Sequence, residues 1–294
     1  MSTDSMAHRK GQVMSSHPAI RRVRKFLEVL TAGVPFLAAL MGCATEPITG
    51  RSQLALLPES VANEMGVQAF AEILGEAKLS VDPLACEQAV KVGMRIASAT
   101  DARMTAEGRE LYHWEIHVID DPKTANAFAL PGGKIAVYTG ILPIARDDAG
   151  LAVVLGHEVA HAYAQHGRKR ISEALIEELG VAAVAEGLDG NVSPEVEALI
   201  IAGLGIGLSL GLVLPFSRGD ESAADEIGLF LMAEAGYDPR EAVGFWQRLE
   251  ASSGEGPPEF LSTHPSPENR IARIQELLPK VMEVYSGASR LPAW

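Results

Sequence analysis

Apolar residues recur at helical spacing over Glu59 to Leu79 (Val61, Met65, Phe70, Ile73, Leu74) and over Asp82 to Met104 (Leu84, Ala89, Val92, Ile96), which predicts two amphipathic scaffold helices. At Trp114 the period changes to two. Trp114, Ile116 and Val118 alternate with His113, Glu115 and His117, so a strand with one wet face is expected, with both histidines solvated. Asp120-Asp121-Pro122 reads as a turn, and Asn126 to Gly140 as a hairpin folded at Pro131-Gly132-Gly133. Such a hairpin can offer an edge strand to an extended peptide, or it can simply cover the core. Leu151 to His161 is apolar nearly all round, the mark of a buried central helix. Asp147 and Asp148 suit its start and Gly167 its end, for about five turns. Helices are further expected over Ile171 to Leu188, up to Ala235, over Pro239 to Leu249 and from the Pro265 region to about Val284. The fold class is therefore mainly α with a small β-sheet (α+β).

The central helix carries the chemistry. His157, Glu158 and His161 form an H-E-x-x-H pattern, and positions i and i+4 share one helix face, so both imidazoles can grip one metal ion. Glu158 is placed to act on a metal-bound water. Three fixed positions can match by chance, but unpaired polar groups on a buried helix cost several kcal/mol, which favours a site. Farther on, Glu221 and Asp225 stand one turn apart, fit either for a metal ligand with its supporting carboxylate or for an exposed acidic helix start. His264 precedes the last helix, as a turn residue or an active-site group. Gly207-Leu-Ser209-Leu-Gly211 is formally the G-x-S-x-G of serine hydrolases, but the chain has too few strands to build the required elbow.

Charge and composition then narrow the setting. The net charge of the 294 residues is −13, although residues 1–42 hold six Lys/Arg against two acids. A body this acidic is not expected to bind nucleic acid through its phosphates. Arg21 to Lys25 followed by the mostly apolar Phe26 to Leu40 reads as a secretory leader, and Leu40-Met41-Gly42-Cys43 resembles the lipobox of bacterial lipoproteins. The expected organisation is a leader over 1–42, a tether over 43–57, one domain over 58–285 and a short tail over 286–294. Cys43 would carry lipid and anchor the chain to a membrane. With Ala44 after the cysteine, the expected location is the bacterial outer membrane, facing the periplasm.

Several blocks together resemble the zinc peptidases that include the HtpX-type heat-shock proteases, the CAAX prenyl proteases and the Oma-type proteases (metallopeptidase family 48), closest to their small lipoprotein branch. They are Pro47-x-Thr49-Gly50-Arg51, Asn126-Ala127-Phe128-Ala129-Leu-Pro-Gly-Gly, His157-Glu158-x-x-His161, Ser217-Arg218-x-x-Glu221-x-x-Ala224-Asp225, and His264-Pro265 with Arg270. Ala223 stands where the family often has Glu. The resemblance implies a zincin-like domain binding one zinc ion per chain. Glu221 would be the third ligand, Asp225 the carboxylate behind a ligand histidine, and Arg270 a further partner of the site. Asn126 to Ala129 would meet the substrate backbone. His264 would stabilise the oxyanion, the favoured role, or cap the resting metal. Two imidazoles and one carboxylate leave a fourth position for water, the pattern of catalytic zinc, with Glu158 as general base. The resulting expectation is a membrane-tethered endopeptidase acting on unfolded or misassembled envelope proteins; a metal-bound chaperone or assembly factor is the alternative. The 18 uncharged residues Leu199 to Phe216, with Gly203, Gly207 and Gly211 in step, resemble a transmembrane packing face. A single span would separate Glu221 from His157, so a closely packed, glycine-notched helix is expected instead.

Overall fold

The computed structural model describes residues 43–55, 58–173, 216–252, 258–265 and 269–288. A hairpin of β1 (Cys43–Thr45) and β2 (Ser52–Leu54) leads to helices α1 (Glu59–Glu76) and α2 (Pro83–Ala106). Strands β3 (Glu115–Ile119), β4 (Ala127–Leu130) and β5 (Lys134–Tyr138) follow. Then come the short α3 (Leu142–Ala145) and the central α4 (Asp148–Tyr163). After a further helical stretch at 166–173, the described chain resumes with α5 (Arg218–Glu234), α6 (Glu241–Ala251), α7 (Glu259–Thr263) and α8 (Arg270–Ala288). The small sheet has the order β3-β5-β4, with β3 parallel and β4 antiparallel to β5. The mainly helical α+β class and the hairpin at Gly132 and Gly133 are as the sequence predicts; both glycines take the positive φ (82° and 81°) that the tight turn requires. His113 is exposed and His117 half-buried, so neither joins a site.

α4 is the centre of the core. Every residue from Gly150 to Tyr163 is buried, and the helix packs against α2, α5, α6 and β4. Asp147 caps its start by accepting the Gly150 N–H at 2.9 Å. The helix ends earlier than the sequence predicts, at Tyr163 rather than Gly167. Glycine is the common choice for a left-handed helix terminus, but here Gln165 adopts φ 61° and breaks the run. The freed carbonyls lie in the interior and are met by side chains. Tyr112 donates to Ala162 O at 3.1 Å, Arg109 to Tyr163 O at 3.1 Å and Gln53 to Ala164 O at 2.6 Å.

Two glycines set the distance between the helices that carry the site. A Cβ on Gly156 of α4 would lie 3.0 Å from Gly228 O, and one on Gly228 of α5 would lie 2.9 Å from Gly156 C. The two backbones therefore touch. Of the residues 43–57 expected as a tether, 43–54 form the β1–β2 hairpin, turned at Pro47 to Gly50. That hairpin is docked across the ends of α4 and α5 through Gln53 and through Arg51, which donates to Gly219 O at 2.5 Å. Cys86 is a free, half-buried thiol. Among the described residues no helix is long and apolar enough to cross a membrane. Ser209, Gly203, Gly207 and Gly211, most of Ile171 to Leu188, the leader and the tail beyond residue 288 lie outside the described residues.

Candidate metal centre

Helix periodicity puts His157 and His161 on one face of α4, and their Nε2 atoms converge to 3.1 Å. α5, held in backbone contact, brings Glu221 to the same point: its two carboxylate oxygens lie 3.3 Å from His161 Nε2 and 3.4 Å from His157 Nε2. His264, just past α7, completes the group, with Nδ1 3.0 Å from Glu221 Oε1 and 3.3 Å from His157 Nε2. All four are buried, and one donor atom from each lies within 4.8 Å of the others. Buried nitrogen and oxygen lone pairs aimed at one point repel unless a cation sits among them, so this His–His–Glu–His group fits a metal ion.

Around the group each donor is held. Asp225, one turn after Glu221, accepts from His157 Nδ1 at 3.1 Å, which leaves His157 Nε2 free for the metal. Arg270 at the start of α8 binds Asp225 through Nε at 2.7 Å and Glu221 through Nη2 at 2.6 Å, and its guanidinium lies 3.8 Å over the Trp246 ring. Phe216 stacks on His161 and Phe260 on His264. Glu158 is fully buried; its Oε2 accepts the Ala129 N–H at 3.0 Å, and its Oε1 lies 3.3 Å from His264 Nε2.

The electrostatics follow from this packing. Burial pushes the Glu158 carboxyl above its ordinary value, although the neighbouring His264 and His157 pull it back down. Burial would also push Glu221 up, but the neighbouring His264 and His157 and hydrogen bonds from His157 and His161 outweigh it and hold the carboxyl well below its usual range. In the metal-free protein burial lowers His157 less than Glu221 and Asp225 raise it, and its pKa stands at about 9. His161, buried beside two other imidazoles, is held well below 6.5.

The structure thus brings His157, Glu158, His161, Glu221, Asp225, His264 and Arg270 to one place. Of Asn126 to Ala129, Ala129 reaches it, with its N–H on Glu158; Ala127 N–H bonds the Asn126 side chain at 2.9 Å, and β4 is the edge of the sheet among the described residues. The Phe128 ring packs with Phe70 and Tyr138 in a separate apolar cluster, away from the four-residue group. Cys43 opens β1. Two residues escaped the sequence reading. His166 Nδ1 lies 2.9 Å from His161 Nδ1, and His166 Nε2 lies 3.0 Å from Glu46 Oε1 in the β1–β2 turn. Glu46 is buried, yet hydrogen bonds from His166 and Thr49 hold its pKa below the usual value. Only the Pro47–Arg51 block hinted that this turn belongs to the site.

Residues 91–278 match the model of peptidase family M48. The chain is similar to the mitochondrial metalloendopeptidase OMA1 of Schizosaccharomyces pombe, 44% identical over 171 residues that make up 57% of this chain and 47% of that protein. It is similar to the protein of that name in Saccharomyces cerevisiae, 31% identical over 89% of this chain and 76% of that one. The beta-barrel assembly-enhancing protease of Escherichia coli is 26% identical over 89% of this chain and 53% of that protein. The chain spans about half the length of most of these relatives. These relatives correct one expectation. The proteins of yeasts, a plant and animals that match at 30% identity or more are named as mitochondrial, which overturns the placement in a bacterial outer membrane facing the periplasm. That placement rested on the lipobox-like Leu40-Met41-Gly42-Cys43 and on the Ala44 that follows it. With the family match over residues 91–278 and His157, His161, Glu221 and His264 in one buried group, the chain belongs to peptidase family M48.

Proposed function

We propose that the chain is a zinc-dependent endopeptidase acting on unfolded or misassembled proteins. The observation that carries this reading is the convergence of His157, His161 and Glu221 beside a buried Glu158 whose Oε2 faces the edge strand β4. Zinc at this donor set would supply Lewis-acid activation of a water and of the peptide carbonyl. Glu158 takes the proton of the attacking water and passes it to the leaving amine. An extended substrate pairs with the β4 backbone; when its carbonyl takes the Ala129 N–H, Glu158 Oε2 is released for the water. An unfolded segment meets that edge more readily than a folded surface, because it has unpaired backbone groups to offer. The name of the Escherichia coli relative, which ties a protease to assembly, agrees with misassembled substrates. Tethering through an acylated Cys43 belongs to the same reading, and fatty-acid labelling that is lost in Cys43→Ser checks it.

His264 acts in this reading as a cap on the resting site. Its Nδ1 stands among the donor atoms, where a water or substrate oxygen needs room, which favours the cap over an oxyanion donor. His264→Ala is then expected to retain zinc and cleave an unfolded substrate faster; a fall in kcat of about a hundredfold with zinc retained would restore the donor role. The test of the main reading is cleavage of an unfolded protein by the zinc-loaded chain and by Glu158→Gln. The variant should bind one zinc per chain and cleave nothing. Undiminished cleavage by Glu158→Gln, or none by the wild type with full zinc, overturns it, the latter in favour of a metal-bound chaperone.

A further inference from the structure

We infer that His166 and Glu46 form a relay that fixes the tautomer of His161 and so holds its Nε2 as a metal ligand, with His166 the positioning residue and Glu46 its anchor. The inference rests on the reading that His161 binds metal. His157 and His161 both aim Nε2 at the metal position, so each must keep its ring proton on Nδ1 and find an acceptor for it. For His157 the acceptor is the Asp225 carboxylate. The partner of His161 Nδ1, at 2.9 Å, is instead another imidazole nitrogen, His166 Nδ1.

Two nitrogens facing each other leave the direction of the bond open, and Glu46 decides it. If His166 carried its proton on Nδ1, it would donate to His161 Nδ1 and force the His161 proton onto Nε2, where it blocks the metal. His166 Nε2 would then present a bare lone pair to Glu46 Oε1 at 3.0 Å, two acceptors face to face in a buried place. The opposite order satisfies every atom. His161 Nδ1–H donates to His166 Nδ1, and His166 Nε2–H donates to Glu46 Oε1, whose other oxygen accepts from Thr49. The relay therefore runs from the metal position through two imidazoles to a carboxylate in the β1–β2 turn.

The backbone explains why a histidine can serve there. His166 comes five residues after His161, a spacing that does not share a face on a continuous helix. The positive φ of Gln165 breaks the helix between them and turns the His166 ring back onto His161, with 4.9 Å between ring centroids. Glu46, His166 and Asp220 also lie close enough to be considered as a second metal group. Asp220 is instead engaged by Lys169, whose ammonium lies 2.6 and 2.8 Å from its two oxygens, which leaves Glu46 to His166.

The test is zinc affinity, measured by competition with a chromophoric chelator, together with the visible spectrum of the cobalt-substituted protein. His166→Phe keeps a ring in place but removes the acceptor; zinc affinity should fall about 10- to 100-fold and the cobalt bands should shift. Glu46→Leu should weaken zinc in the same range, while Glu46→Gln, which keeps an acceptor oxygen for His166 Nε2–H, should recover most of the loss. The double variant His166→Phe with Glu46→Leu should be no weaker than His166→Phe alone, because Glu46 acts through His166. Thermal melts of the metal-free forms, and the Gln rescue, separate this from simple loss of packing. Wild-type zinc affinity in His166→Phe, or no difference between Glu46→Gln and Glu46→Leu, overturns the inference. So does a second zinc equivalent in the wild type that disappears in Glu46→Leu, which would make the cluster a metal site. A wild type that binds no zinc overturns instead the reading on which the inference rests.

Discussion

His157 and His161 stand one turn apart on the same buried helix, yet their surroundings have opposite electrostatic character. His157 faces two carboxylates, Glu221 and Asp225, and holds a proton up to about pH 9 in the metal-free protein. His161 shares Glu221, but its other neighbours are imidazoles and an aromatic face, and it stays neutral. On the proposed reading the two would meet one ion from different starting states: His157 would give up a proton when metal arrives, while His161 is already neutral. Burial alone does not decide the charge state of a histidine; the number of carboxylates within reach does.

The strongest way to break the contrast is Glu221→Gln, because the Glu221 carboxylate lies against both imidazoles. Zinc affinity should fall more than the roughly 100-fold typical for loss of an outer partner, as read by chelator competition. The next effect sharpens it. Binding zinc at pH 7 should release about one proton, that of His157, measured by calorimetry in buffers of different ionisation heat, and affinity should rise with pH until about 9. Asp225→Asn should reduce that proton release. The sign also applies to folding without metal. The folded pKa of His157 lies above its ordinary value of 6.5, so its contribution to stability is full below pH 6.5 and is lost as pH rises through about 9. Gly228→Ala should separate α4 from α5 and lower stability by about 1–3 kcal/mol, seen in denaturant unfolding, with a larger loss in zinc affinity than its distance from the ligand atoms would imply. The smallest effect belongs to Glu226→Gln. Glu226 lies one residue past Asp225 but pairs with Arg273 at 3.5 Å on the surface, so stability and zinc affinity should change by less than about 0.5 kcal/mol.

What could be read from the chain follows a physical divide. The central helix was legible because apolar residues surround it and because i, i+4 spacing is itself the geometry of the site. Glu221 was not decidable from its own surroundings, since an acidic first helical turn is ordinary; only the fold brings it, buried, against both imidazoles. Glu46 and His166 were illegible for two reasons. A five-residue spacing makes sense only with the break at Gln165, and nothing in the local sequence marks a glutamine for positive φ. A segment with Pro47, Gly50 and Pro58 reads as a linker, while its burial depends on contacts with Ala164 and Gly219, more than a hundred residues away.

The touching backbones of Gly156 and Gly228 have a mechanical consequence. Side chains can yield by changing rotamer, but two main chains in van der Waals contact cannot approach further, and they part only at the cost of the core around them. α4 and α5 are therefore the fixed jaw of a vice that grips the metal. The opposite side of the group is built differently: His264 follows α7, a helix of only five residues. On the proposed reading, then, a change of metal geometry is met by His264 sooner than by the two helices.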